Sequence, residues 1–315
     1  MTDFMNYLVA GITRGSMYAL IALGYTLVYG VLQLINFAHS EVFMSGAFGS
    51  YAVVHLIVGD GKATPGWAVP FILIAGLLSG AITAAAIAWG LERVAYRPLR
   101  KRGAPKLAFL ISAIGASFFL SQLAGKLFGR LTSNSFPAFW DQNAVLFHLF
   151  GAEVRVLQVV IVVSAITMMI FLDRLVSQTK LGRSIRAVSE DAPTAALMGI
   201  DIDKTISRTF IIGGLLGGAA GFLFGMTFSF GNTMGFLPGV KAFAAAVLGG
   251  IGNIRGAMIG GLLLGIVENL VPTAPWVSSP WIGIKWTDVV AFVVLVLVLM
   301  FRPTGILGER LGRAA

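Results

Sequence analysis

The 315-residue chain contains no cysteine, which excludes a disulfide framework and a thiolate metal site and leaves rigidity to packing. Charge is also scarce: 12% of residues are Asp, Glu, Lys or Arg, against 57% hydrophobic. Soluble globular chains carry about 25% charged and about 45–50% apolar residues, so this composition cannot supply a water-facing surface. The chain reads as an integral membrane protein. Histidine is limited to His39, His55 and His148, in separate segments without i, i+4 pairing, which argues against a histidine metal site. No GxxxxGK followed by Ser or Thr occurs, so ATP is not bound through a P-loop. Neither a nucleophile with its base nor paired carboxylates converge, and no catalytic residue, metal or cofactor is expected.

What is present is an excess of positive charge, formally +9. Six basic residues fall within 92–106, six within 173–208, and Arg302, Arg310 and Arg313 near the carboxyl end, which makes fifteen of the 23. These stretches are gaps between apolar segments, and Lys and Arg in such gaps mark the cytoplasmic side of a membrane protein, not a nucleic-acid site. Stretches of the length a bilayer core of about 30 Å demands run near 6–32, 41–59, 67–91, 107–128, 156–173, 206–230, 256–271 and 286–302. A shorter apolar piece, 240–251, is either re-entrant or spanning. The expected fold is therefore an all-α polytopic transmembrane bundle of eight or nine segments, one transmembrane domain over 1–315, some helices discontinuous or re-entrant. The basic gaps place 92–106, 174–205 and the carboxyl terminus in the cytoplasm and 129–155 outside. The amino terminus is outside if 240–251 crosses and inside if it does not. The opening MTDFMNY lacks a basic n-region, so no cleaved signal peptide is expected.

The 39 glycines are patterned. Pairs four apart stand at 11/15, 76/80, 217/221, 221/225, 256/260 and 261/265, a spacing that puts small residues on one helix face for close helix contact within the protein. Two segments interrupt apolar helices: QLINFAHSE at 33–41 and SFGNTMGFLPG at 229–239. Each follows an aromatic–Gly pair and precedes a helix rich in small residues. Their separation of about 195 residues suits two related halves with broken helices beside a pathway. Polar groups inside apolar segments are costly and face cavities or partners. Asn36, His39 and Glu41 at the first break, Glu268 and Asn269 near the end of 256–271, and Asp288 are the candidates, with Glu268 otherwise a helix-end residue.

The longest polar stretch, SQTKLGRSIRAVSEDAPTAALMGIDIDKT over 177–205, predicts a short helix near 183–190 and another near 194–198, interrupted at Pro193 and closed by Gly199. Such a pair suits either docking of another protein or, through Lys180, Arg183 and Arg186, lying on anionic membrane lipid.

GSMYALIALGYTLVYGVLQLINFAHSEVFMSGAF, ERVAYRPLR, LISAIGAS, LGRSIRAVSEDAPTAALMGI, KAFAAAVLGGIGNIRGAMIGGLLLGIVEN and RPTGILG together resemble the LivH-type permease subunits of branched-chain amino acid ABC transporters, from about residue 7 to 308. Ser40 stands where that pattern carries Gly. The resemblance implies a transport subunit, not an enzyme, in a bacterial inner membrane. Its implied partners are a second, homologous permease (a heterodimer), two ATP-binding subunits and a periplasmic substrate-binding protein. It makes about 174–205 the coupling loop, with Gly182, Arg183, Arg186, Ala187, Glu190, Asp191, Ala195 and Gly199 as contacts. The implied cargo is Leu, Ile and Val, with urea, short amides or other amino acids as alternatives. The expected mechanism is alternating access driven by closure of the ATPases. A stand-alone channel or secondary transporter is the reading from another class, and it requires coupling-ion groups within the spans.

Overall fold

The computed structural model describes residues 2–59, 64–129, 134–137, 140–141, 144–149, 151–271 and 287–308. In chain order these form α1 (Thr2–Leu32), α2 (His39–Val58), α3 (Val69–Leu91), α4 (Arg97–Lys101) and α5 (Lys106–Leu127). A hairpin of β1 (Val145–Leu149) and β2 (Ala152–Arg155) follows, then α6 (Val156–Gln178), α7 (Lys180–Glu190), α8 (Ala192–Leu197) and α9 (Ile202–Thr227). The last helices are α10 (Phe236–Gly249), α11 (Ile254–Leu270) and α12 (Thr287–Phe301). Six stretches among the described residues are long and apolar enough to cross a membrane: Phe4–Leu32, His39–Val58, Gly66–Lys101, Lys106–Leu127, Val156–Gln178 and Ile202–Thr227. The polytopic helical bundle is thus the observed fold. At about 1.5 Å per residue the 14 residues of α10 extend about 21 Å, short of a bilayer core of about 30 Å.

Both expected interruptions are real. α1 ends at Leu32, Gln33 takes a left-handed backbone (φ 50°), and helix resumes at His39. α9 ends at Thr227 and α10 begins at Phe236. The double-stranded hairpin, antiparallel with Leu149 opposite Ala152, lies within 129–155, the stretch expected on the non-cytoplasmic side. Side chains at 2–3, 149, 287–288 and 290–291, including Asp288, and all of Arg310 and Arg313, lie outside the described residues.

The chain divides into two compact units. The first takes residues 1–26, 142–169 and 241–315. In it, Gly11 and Gly15 of α1 face α11: a Cβ at Gly15 would stand 2.8 Å from the Leu262 carbonyl oxygen, and one at Gly261 would overlap Ala19. The reciprocal glycine pairs 11/15 and 261/265 are therefore one helix–helix contact. The segment after α12 folds back along the α10–α11 turn, where Ile306 and Leu307 donate backbone N–H to the Leu248 and Gly249 carbonyls at 2.9 and 3.0 Å. Asn253 caps α11 by accepting from Gly256 N–H and donates to the Leu307 carbonyl. RPTGILG thus fastens the GGIGN turn.

The second unit takes residues 27–141 and 170–240, and α2, α3 and α9 are its centre. They meet where Gly46, Gly80 and Gly218 converge: a Cβ at Gly80 would sit 2.8 Å from the Gly46 carbonyl oxygen and 3.1 Å from that of Gly218. Gly76 faces the Phe222 ring and Gly221 faces Phe43 and Ala47, so the expected glycine faces at 76/80 and 217/221 are contacts within the chain. After Leu91 one turn is π-helical, Glu92–Tyr96. This local register change carries Tyr96 inward, where it is 2% exposed among Phe109, Phe210, Val28 and Val31.

Candidate translocation pathway and coupling surface

The first break is held by its own polar residues. Asn36, buried, accepts at Oδ1 from the Ala38 N–H at 3.1 Å and from the Tyr96 hydroxyl at 2.6 Å. One oxygen therefore sets the start of α2 against the π-helical turn. His39 and Glu41, on the first turn of α2, are also buried. The His39 ring lies against α9 at Gly217. Glu41 Oε1 accepts from the Ser117 hydroxyl of α5 at 3.3 Å, while Oε2 is buried with no hydrogen-bond partner among the described residues.

The second break packs on the first. A Cβ at Gly235 would stand 2.6 Å from the Ser40 carbonyl oxygen and 2.8 Å from Glu41 Oε2, so only glycine leaves that oxygen its space. Ser121 Oγ donates to the Asn232 carbonyl at 2.6 Å. The interruptions at 33–38 and 228–235, 195 residues apart at their first positions, thus converge on Glu41 with α5 supplying hydroxyls. A buried carboxyl oxygen with no donor is costly, a condition that Glu268 Oε2 shares; the meeting of both breaks on Glu41 is what marks this cluster as the candidate for polar solute or water. Ser117, Ser121 and Asn232 were missed in the sequence, since single hydroxyls and amides in apolar or turn segments carry no pattern of their own.

Glu268 and Asn269 belong to the other unit. Glu268 Oε1 accepts from Lys241 Nζ at 2.9 Å and from Arg14 Nη1 at 3.0 Å, and Lys241 lies 6.0 Å over the Tyr18 ring. The carboxylate ties α1, α10 and α11 together. Asn269 donates to the Gly265 carbonyl at 2.8 Å. Glu268 is therefore an ion-paired strut two residues inside the helix, a role different from a helix-end residue. Its partners were legible only as isolated basic residues in apolar runs.

The polar stretch 174–205 folds as the expected helix pair, with one difference. α7 closes at Glu190, and the break falls on Asp191 in extended conformation (φ −151°, ψ 101°), not on Pro193. Asp191 caps α8 by accepting from the Thr194 N–H at 3.2 Å, and Pro193 sits in the first helical turn, where its missing N–H is not needed. Bonds from the Thr194 hydroxyl and N–H hold the Asp191 carboxyl below the usual range. Gly199 closes the pair with φ +83°.

Ile185, Val188 and Ala195 are buried against Tyr96, Phe109 and Phe210. Gly182 is buried at the Val176 backbone, whose carbonyl also accepts from the Arg186 guanidinium. Ala187 is half-buried, while Arg183, Arg186, Glu190, Asp191 and Gly199 are exposed. Gly182 and Ala195 therefore seat the helices instead of presenting a surface. The outward tip is apolar: Leu197 is 88% and Met198 79% exposed, a pair that sequence reasoning placed on the helix without singling out. Gln33 Nε2 donates to the Ser189 carbonyl at 3.2 Å, joining α7 to the first break.

At the base of α3, Glu92, fully buried, accepts from Arg100 at 3.0 Å and from the Ser207 hydroxyl. Asp203 accepts from Arg97 at 2.8 Å and from Arg100 at 2.6 Å. This network locks the π-helical turn to α9. No group of His, Asp and Glu able to hold a metal occurs among the described residues.

Broken apolar helices meeting at buried polar groups, with a seated amphipathic helix pair, define a polytopic membrane permease. Residues 7–299 match the family described as branched-chain amino acid transport system / permease component. The chain is 42% identical over 309 residues to the high-affinity branched-chain amino acid transport system permease protein LivH of Escherichia coli (strain K12), covering 97% of this chain and 96% of that one. BraD of Pseudomonas aeruginosa, another high-affinity permease protein of such a system, matches at 42% over the same shares. The probable LivH of Methanocaldococcus jannaschii is 28% identical over 96% of this chain and 91% of its own. The chain belongs to this family of ABC-importer permease components, which are transport subunits and not enzymes.

Proposed function

We propose that this permease carries Leu, Ile and Val, delivered by a periplasmic binding protein, across the inner membrane into the cytoplasm. It pairs with a second, homologous permease and is driven by two ATP-binding subunits. The named high-affinity relatives support the cargo. The pairing is supported by a 29% match, over 45% of this chain and 43% of the relative, to the probable LivM permease of Methanocaldococcus jannaschii, which also has a LivH relative of this chain. The observation that carries the coupling is the path from the exposed Leu197–Met198 tip, through α7, to Gln33 in the first break. Ile185 and Val188 make α7 move with the core that surrounds Tyr96. Tyr96 in turn holds Asn36.

In this reading the ATPases dock on Leu197, Met198, Gly199, Glu190, Asp191 and Arg183, on a cytoplasmic face shared with the carboxyl terminus. Gly182, Arg186, Ala187 and Ala195 hold that surface in place. Docking displaces α7, Gln33 follows the Ser189 carbonyl, and the break region containing Asn36, His39 and Glu41 reorganises to open the pathway on alternate sides. Glu268 and Asn269 brace the other unit during this motion. The test is uptake of labelled Leu, Ile and Val, with urea, short amides and other amino acids as competitors, into vesicles containing permeases, ATPases and binding protein. Glu190→Lys and Gly199→Val should leave insertion intact and separate ATP hydrolysis from uptake. Normal coupled uptake by both would overturn the docking assignment, and uptake without the ATPases would favour a stand-alone transporter.

A further inference from the structure

The segment 92–106 carries six basic residues, and the structure divides them. Arg97 and Arg100 are committed to Asp203 and Glu92. Arg93, Lys101 and Arg102 are exposed and make no ion pair among the described residues. Together with Arg97 and Pro98 they line a cavity of about 430 Å³. A second groove, of about 660 Å³, is lined chiefly by apolar side chains, among them Val94, Leu99, Ala108 and Ile111. Pro98 and Arg102 belong to both, so an open cationic hollow and an open apolar groove share an edge.

The position is as specific as the chemistry. The hydrophobic span Gly66–Lys101 ends here, and the next span begins at Lys106. Val94, Leu107 and Ile111 beside the groove are 78%, 62% and 62% exposed, which in a spanning protein is a surface turned to hydrocarbon or to a partner. Helical sequence alone would spread Arg93, Arg97 and Lys101 along one face. The cationic hollow lies on the stretch 93–102 alone, and after the left-handed Gly103 (φ +61°) the start of α5 adds Ala108 and Ile111 to the apolar groove beside it.

We propose that this compound cavity is a binding site for an anionic phospholipid, its phosphate among Arg93, Lys101 and Arg102 and one acyl chain along Val94, Leu99, Ala108 and Ile111. Free phosphate would use the cationic chamber and leave the groove empty. A zwitterionic lipid would use the groove and gain little from three cations. Basic pockets at the ends of membrane helices select anionic headgroups by this combination. The ligand also touches the ion network, since Arg97 both lines the chamber and pairs with Asp203.

The test uses the purified full chain in detergent, with retention of added phosphatidylglycerol and of chain-matched phosphatidylcholine read by native mass spectrometry. Each cation near an anionic headgroup contributes about fivefold in affinity. Arg93→Gln/Lys101→Gln/Arg102→Gln should therefore weaken phosphatidylglycerol binding on the order of 100-fold. Lys126→Gln/Arg174→Gln/Arg208→Gln removes equal charge from exposed positions elsewhere and should change it by no more than a few-fold. Ala108→Phe, which keeps every charge and fills the groove, should also lose the lipid while leaving the thermal transition of the protein in place. Equal weakening by the two triple variants, equal retention of both lipids, undiminished binding in Ala108→Phe, or displacement of phosphatidylglycerol by inorganic phosphate would each overturn the proposal. If the first triple variant does not fold, the lipid comparison and Ala108→Phe decide it.

Discussion

Replacing Gly218 by Ala adds one methyl group where α2, α3 and α9 meet. That methyl would overlap the Gly80 carbonyl oxygen and stand 2.6 Å from the Ala84 Cβ, against an optimal carbon–carbon separation of about 3.5–4.0 Å. The obstacle is main chain, which cannot rotate away, so α3 and α9 must separate by about 1 Å along a face that Gly46 and Gly80 share. Overpacking of this kind costs about 1–3 kcal/mol, and the higher helix propensity of Ala returns about 1 kcal/mol. The upper part of the overpacking range applies here, and the expected net loss is about 2 kcal/mol. Gly115 of α5 is the internal reference, because a Cβ there meets nothing within 4 Å. Gly115→Ala should stabilise by about 0.5–1 kcal/mol. Thermal unfolding of the two variants in the same detergent reads the difference, with Gly218→Ala melting below the parent and Gly115→Ala at or above it. If Gly218→Ala melts as high as Gly115→Ala, the three-helix glycine junction does not limit packing.

Leu197→Asp/Met198→Asp removes two exposed apolar side chains from the proposed docking tip. Burial of each is worth about 1.5–3 kcal/mol, so co-purification with the ATPases and ATP-dependent uptake should collapse while the melting temperature is unchanged. Glu268→Gln leaves Lys241 and Arg14 without their shared carboxylate. Glu268→Gln should lower the thermal transition, and the double variant with Lys241→Met should recover part of that loss in a thermal-shift cycle. Tyr96→Phe removes one donor from Asn36 and should cost about 1 kcal/mol, with uptake falling more than stability if the first break is the moving part. The lowered Asp191 carboxyl means its cap is present above the unfolded value, about 3.9, and is lost as pH falls through the lower folded value. Protection of the α8 amides, taken relative to their intrinsic exchange at each pH, should fall there in the parent and not in Asp191→Asn, whose amide caps without titrating.

The spans were legible because a lipid-spanning helix needs a long apolar run and nothing subtler. The expected 41–59 and 107–128 match α2 and α5 within two residues at either end. Both broken helices were legible for the converse reason, since NFAHS and FGNTMG interrupt such runs with turn-forming residues. The hairpin was not, because strands of five and four residues are too short for alternation to declare itself between apolar helices. The displacement of the α7–α8 break from Pro193 to Asp191 follows from capping: an aspartate that satisfies the first N–H groups decides where a helix begins, and a proline in that first turn is merely permitted.

A polytopic helical membrane protein, six of its spanning stretches, two helix breaks and the family resemblance were all readable from the sequence, because hydrophobic length, basic gaps and turn residues are local properties; the stretches expected at 256–271 and 286–302 form α11 and α12, of 17 and 15 residues, which are not among those six. The convergence of the two breaks on Glu41 emerges from the packed helices. That packing also paired Glu268 with Arg14 and Lys241, turned Gly182 and Ala195 inward while Leu197 and Met198 face out, and opened the cavity at Arg93, Lys101 and Arg102 beside an apolar groove. Each of these depends on groups tens to hundreds of residues apart being brought within a few ångströms, and in a chain this uniformly apolar the periodicity that would reveal which face turns inward is nearly absent. The glycines and the few charges supply that information only after the helices have packed.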